Sequence, residues 1–256
     1  MRRLFYVLGL PVCLFAILSF ASCSIFEDNS FKVGLYESGN PLVFMEDKKA
    51  YAGFEVDVAQ EISDRLDKKL RIVPLAPGEA ADALENGSVD CVVSSLATVH
   101  KSIENFSATT PFISYGIAIV KHTDDMSITD LQSLVGKEVA VMANTEADAL
   151  CEEMLKRIHF NLRRYDLPYQ PFHEVLLKNK DAILADEYLA RHYEKSDPQI
   201  YKTLDIIVDK KGYGVRLSDK LSEEDANAID GTVLEMKSDG TLSDLYLKWF
   251  DYSFPA

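Results

Sequence analysis

Hydrophobic and polar positions along the chain switch between a period of two and a period near 3.6. The segment 31–35 is short and β-prone, and Asn40-Pro41 marks a turn. After Gly53, the run Phe54-Glu55-Val56-Asp57-Val58-Ala59 leads into a helix. Val56, Ala59, Ile62 and Leu66 share one face of it, with Glu61, Asp64, Arg65 and Asp67 elsewhere. Residues 70–75 read as a strand ended by Pro77-Gly78, and 80–84 as a short helix with Gly87 just beyond it. Residues 89–93 are nearly all apolar, as a parallel strand covered on both faces requires. The order β-α-β-α-β predicts an α/β sheet.

A long apolar stretch over 112–120 follows. Gly136-Lys137 precedes a strand at 138–142, and the turn Ala143-Asn144-Thr145-Glu146 opens a helix ending near 159. Residues 163–171 show no regular pattern. Residues 182–185 form a strand followed by Asp186, and 204–208 a last strand, so a second β-α-β unit spans 121–209. Near the C-terminus, a helix over about 222–237 breaks at Ser238-Asp239-Gly240. A Thr241–Asp244 capping box would then start a final helix whose apolar face is Leu242, Leu245, Tyr246 and Trp249.

The first residues change the picture of where the chain resides. Arg2 and Arg3 precede an apolar run over 4–20, and Phe20-Ala21-Ser22-Cys23 puts two small residues before a cysteine. This resembles a bacterial lipobox with Phe where Leu is usual. It predicts a signal peptide at 1–22, a lipidated Cys23 and a polar tether over 23–30. The alternative is an uncleaved anchor helix. Either way the body is expected outside the cytoplasm, periplasmic or at the cell surface, held at a membrane.

Acids outnumber bases 41 to 27, a net charge of -14, which argues against nucleic acid as a partner. Only Cys91 and Cys151 lie in the body. Cys91 sits in a buried strand pattern and Cys151 far along the chain in a helical one, so two free thiols are expected. The five histidines show no ligand spacing, and no metal or cofactor is expected. No phosphate loop, metalloprotease helix or serine elbow occurs.

A set of short motifs runs in order through the body. Val33-Gly34 is followed by Gly53-Phe54-Glu55-Val56-Asp57-Val58-Ala59, then by Val89-Asp90 with Ser94-Ser95-Leu96. Next come Leu134-Val135-Gly136-Lys137-Glu138-Val139-Ala140-Val141 and Ser238-Asp239-Gly240-Thr241 with Leu245-Tyr246-Leu247-Lys248-Trp249-Phe250. In this order the chain resembles the family 3 extracytoplasmic solute-binding proteins of polar amino-acid ABC importers. The resemblance implies a two-lobed periplasmic-binding-protein-like II fold with two chain crossings. Lobe 1 would hold 31–119 plus 211–256, and lobe 2 would hold 120–210. It also implies a monomer, a small polar solute (an amino acid first) bound between the lobes, and an ABC permease of the inner membrane as partner.

The resemblance carries specific residues with it. Ser94 and Ser95 would give hydroxyls and amides to a solute carboxylate, or else be turn serines. Asn144, Thr145 and Glu146 open the second-lobe helix. Thr145 would reach the cleft, whereas Glu146 departs from the family and would repel a carboxylate, attract an amine, or simply favour the helix start. Asp186 would pair with the solute's amino group, or cap the helix after it. The family's carboxylate-gripping arginine is missing, and Lys101 or His100 offers at most a point charge. The aromatic clamp is missing as well, its places taken by Ser38, Gly39 and Pro77. Tyr36, Phe44 or Tyr51 are candidate substitutes. No catalytic residues are evident. The alternatives are a same-fold enzyme of the cyclohexadienyl or prephenate dehydratase type, using Glu146 or Glu187 as acid, and a surface module that no longer binds a small ligand.

Overall fold

The computed structural model describes residues 29–47, 49–76, 78–96 and 102–250, with only the backbone of 205–209. The signal segment 1–22, Cys23, Pro77, His100 and Lys101 lie outside the described residues. The first half runs β1 (Ser30–Leu35), β2 (Phe44–Glu46), β3 (Ala50–Ala52), α1 (Phe54–Arg65), β4 (Lys69–Pro74), α2 (Ala80–Asn86) and β5 (Cys91–Val92). Then come β6 (Ala108–His122), β7 (Glu138–Met142), α3 (Glu146–Leu155), β8 (Asn161–Tyr165), α4 (Tyr169–Leu176), β9 (Ala182–Asp186) and α5 (Glu187–Ser196). The chain closes with β10 (Tyr201–Leu217), α6 (Glu223–Ser238) and α7 (Thr241–Phe250).

Eight strands form one mixed sheet in the order β4-β1-β5-β10-β6-β9-β7-β8, with β2-β3 a separate hairpin. At one end, β1 runs parallel to β4 and β5; at the other, β7 runs parallel to β8 and β9. The antiparallel pair β6 and β10 lies between them and joins the two ends. This is the two-lobed α/β architecture expected. Both faces of the sheet are covered, so apolar side chains alternate between two cores. Val139 and Val141 of β7 enter one cluster and Ala140 the other.

The two joining strands are longer than the sequence pattern predicts. The stretch 112–120 belongs to a strand of 15 residues, and the separate strand at 204–208 belongs to one of 17. Gly212 and Gly214 lie inside the longer of these strands and serve close approach. A Cβ on Gly214 would lie 2.2 Å from the Thr109 carbonyl oxygen.

Residues 163–171, expected to be irregular, contain the end of β8 and the start of α4. β8 is the sheet's edge, and its exposed Arg163 and Arg164 suit an edge while erasing the apolar alternation. Pro171 sits in the first turn of α4, where its missing N–H is not needed. The final helix is started differently from the expected capping box. Asp239 Oδ1 accepts from the Thr241 amide at 3.0 Å and its hydroxyl at 2.7 Å. Cys91 and Cys151 are free and buried.

Candidate functional site

The C-terminal ends of the parallel strands in both halves of the sheet converge on one cleft. β1 ends into Tyr36, Glu37 and Ser38, and Leu96 follows β5; from the other half come Asn144 after β7 and Asp166 after β8. These residues line a cavity of about 460 Å³. A neighbouring cavity of about 230 Å³ shares Ser38 and Pro168 with it and adds Tyr169 and Tyr193. Open α/β sheets bind ligands at such strand ends, and a cavity of this size accepts one small molecule.

Ser94 and Ser95 follow β5 as expected, but their side chains face inward. Ser94 Oγ accepts from the Leu96 amide at 3.1 Å. Ser95, fully buried, donates its amide at 2.6 Å and its hydroxyl at 2.5 Å to Glu55 Oε1. Its carbonyl accepts from the Tyr115 hydroxyl. Glu55 is the second residue of α1. Among the described residues no cation is paired with it, its Oε2 is unpartnered, and burial pushes its pKa up to about 7 against the Ser95 bonds. The Ser95 donors expected for a solute carboxylate are therefore taken by a carboxylate of the chain itself.

The second-lobe turn shows the same arrangement. Asn144 holds a left-handed backbone, φ 60°, and its amide donates to Asp148 Oδ2 at 2.9 Å. The Thr145 hydroxyl caps α3, accepting from the Asp148 amide at 3.1 Å and donating to the Met142 carbonyl at 2.7 Å. That hydroxyl serves the helix, while Asn144 lines the cavity. Asp148 is in turn paired with Arg164 Nε at 2.7 Å. Glu146 forms an ion pair with Lys211 of β10.

Asp186 is the last residue of β9 and precedes α5, yet its side chain makes no capping bond. It is 5% exposed, and Oδ1 has no partner. Burial, with Glu146 adding to it, pushes its pKa up to about 7. It lines a small void that shares Met142 and Pro168 with the large cavity. Tyr115, stacked on Tyr213 at 4.6 Å and edge-on to Tyr188 at 4.6 Å, is buried beside it; burial raises the pKa of all three phenols, and the Asp186 charge adds to it. Thus Asp186, Glu146 and Asn144 gather at one end of the cleft, Ser95 and Thr145 support its walls, and Lys101 lies outside the described residues.

Several residues here escaped sequence reasoning. Of the substitute aromatics, Tyr36 lines the cavity, whereas Phe44 packs edge-on against Trp249 at 5.9 Å. Glu55 stood inside a quoted motif, but nothing local marks it as buried against Ser95. Tyr115 and Tyr213 come from strands far apart in sequence, and no spacing signal relates them to Asp186. Among the described residues, no group of three or more His, Cys, Asp or Glu is arranged to hold a metal.

The sequence model for bacterial extracellular solute-binding proteins, family 3, matches residues 31–252. The chain belongs to this family. Among curated relatives, the L-cystine-binding protein TcyJ of Escherichia coli K12 is 26% identical, over 88% of this chain and 84% of TcyJ. The putative amino-acid ABC transporter-binding protein PatH of Vibrio harveyi is 24% identical, over 92% and 94% of the two chains. Among solved structures, an ancestral arginine-binding protein bound to arginine superposes with a TM-score of 0.73 at 25% identity, covering 87% of this chain and 98% of that one. An ancestral amino acid-binding protein, AncCDT-1, described as a precursor of cyclohexadienyl dehydratase, also gives 0.73 at 25% identity, over 87% and 96%. As a family member, the chain is an extracellular solute-binding protein of the two-lobed type.

Proposed function

We propose that this chain is the extracytoplasmic receptor of an ABC importer. It binds one small polar solute bearing an ammonium group, the group carried by the amino acids its relatives are named for, and delivers it to a membrane permease. The observation that carries this is Asp186: a buried carboxylate with an unpartnered oxygen at the end of a cleft between two halves of the sheet. Leaving such an oxygen without a partner is costly, and a bound ammonium group supplies the missing one. The lobes comprise 31–119 with 211–256 and 120–210, and both boundaries fall within β6 and β10, which act as the hinge. Residues 1–22 are removed, Cys23 carries a lipid, and the receptor works as a monomer at the membrane surface.

The receptor acts by binding rather than by chemistry. A dehydratase of the type named for AncCDT-1's descendant needs a general acid, and Asp186, holding a proton near neutrality, has that property. Its acidic substrate would also need cationic groups. Among the described residues lining the three cavities there is no Lys, Arg or His. A module that has given up small ligands has no use for an unpartnered carboxylate beside a cavity of about 460 Å³.

The test is a thermal-shift screen of the purified full chain, unfolded and refolded to strip any solute, against amino acids, amines, short peptides and prephenate-type acids. A cognate solute at 100 to 1,000 times its Kd adds about 2.7–4.1 kcal/mol, roughly 5–15 °C in Tm. Asp186→Ala should weaken that solute by about tenfold to a hundredfold with the fold retained. Unchanged affinity in the variant would remove Asp186 from the site.

A further inference from the structure

Among the described residues lining the cavities of the cleft there are acids and no Lys, Arg or His. The Ser95 amide and hydroxyl are engaged by Glu55, the Asn144 backbone amide by Asp148, and the Thr145 hydroxyl by the Met142 carbonyl, which leaves neutral donors such as the unpartnered Ser38 hydroxyl. The first turn of α3, whose free amides would otherwise attract an anion, carries Glu146 and Asp148. The cations at that turn are already paired, Lys211 with Glu146 and Arg164 with Asp148. Acids remain available. Asp186 keeps an unpartnered oxygen in a side chain only 5% exposed, and faces a void that borders the main cavity. Glu37 from one half of the cleft and Asp166 from the other line the cavity, and neither is ion-paired among the described residues. The aromatic ring of Tyr36 lines the same space.

We infer that the solute of this receptor is a short aliphatic diamine or guanidinoalkylamine dication without a carboxylate, one cationic group meeting Asp186 and the other the exposed acids that line the main cavity, Glu37 and Asp166. The inference rests on the receptor reading and narrows its ligand. A dication gains at both ends of such a cleft. An α-amino acid gains at one end and brings a carboxylate to a lining that, among the described residues, offers neutral donors, further acids and no cation. Placing that carboxylate beside acids without a cation to pair it weakens binding by at least about tenfold.

The experiment is titration calorimetry on the full chain in detergent, refolded free of solute, with matched pairs that differ only by a carboxylate: lysine and cadaverine, ornithine and putrescine, arginine and agmatine. The expected result is that the decarboxylated member binds at least about tenfold tighter in one or more pairs. Asp186→Asn, checked for an unchanged circular-dichroism spectrum, should lose that binding. Tighter or equal binding of the amino acid, or binding of neutral amino acids alone, overturns the inference and leaves the receptor reading standing. Diamine binding that survives in Asp186→Asn overturns the assigned contact and with it the inference. Heat-silent titrations with every amino acid and every amine overturn both.

Discussion

Ser95 gives both its backbone amide and its hydroxyl to a single oxygen of Glu55, at 2.6 and 2.5 Å, across 40 residues of sequence. The pair ties the loop after β5 to the first turn of α1, in a place where both residues are fully buried. Glu55→Ala strands two buried donors and opens a cavity, an expected loss of about 2–4 kcal/mol in chemical denaturation. Glu55→Gln keeps an acceptor oxygen without the buried charge and should match or exceed the wild type at pH 8. A Gln variant as damaged as the Ala variant would mean that the charge itself holds the loop.

The same carboxyl, together with Asp186, sets a pH dependence. Both have folded pKa values near 7, raised from 4.5 and 3.8 by burial. The folded state therefore keeps protons that the unfolded chain releases between about pH 4 and 7. Each group makes unfolding easier as pH rises through that window, by at most about 1.4 kcal/mol per pH unit, with no further loss above it. The stability difference between Glu55→Gln and wild type should accordingly grow in the variant's favour from pH 5 to 7.5. A difference flat with pH would show that Glu55 is ionised throughout.

Solute binding should move in the opposite direction. A cation prefers ionised Asp186, so affinity should fall as pH drops below about 7, towards a tenfold loss per unit, with a proton released on binding. The Glu146 and Lys211 ion pair lies near the same carboxyl, and Tyr115, Tyr188 and Tyr213 stay neutral in this range. Calorimetry in buffers of different ionisation enthalpy measures that proton directly.

Asp148 holds the second-lobe turn from three sides: the Asn144 amide, the Thr145 cap and Arg164. Asp148→Ala removes the acceptor that stabilises the left-handed Asn144. A cost of about 1–3 kcal/mol is expected, with weaker solute binding because Asn144 lines the cavity. Unaltered stability with unaltered affinity would show that the turn is held by the backbone alone.

Gly53 precedes α1 with φ 132°, and a Cβ there would lie 2.0 Å from the Leu42 carbonyl oxygen. The first amides of the helix are satisfied by that same loop, Phe54 donating to Pro41 and Glu55 to Leu42. Gly53→Ala must push the loop away, and should lower stability by about 2 kcal/mol or more. A neutral substitution would mean that the loop yields without loss.

Much of the architecture was legible in local chemistry. The apolar period of α1, the turn glycines, the continuous apolar run at β5 and the order of short motifs each act over a few residues, so they can be read one window at a time. They place Asp186 at a strand end and Asn144, Thr145 and Glu146 at a helix start, which is where the structure has them. β8 and α4 were not legible, because an edge strand carries charges on exposed positions and Pro171 looks like a break until its place in the first turn is known.

The sequence by itself determined the family, most of the order of elements and, apart from β8, the strand ends that border the cleft. Only the tertiary structure decided which polar groups are already satisfied there. Glu55 meets Ser95, Asp148 meets Arg164, and Tyr115 and Tyr213 close around Asp186 because the strands that carry them pair across long stretches of chain. A hydrogen bond depends on distance in space, and a lone serine or aspartate in a sequence is the same residue whether its partner is the chain or a solute.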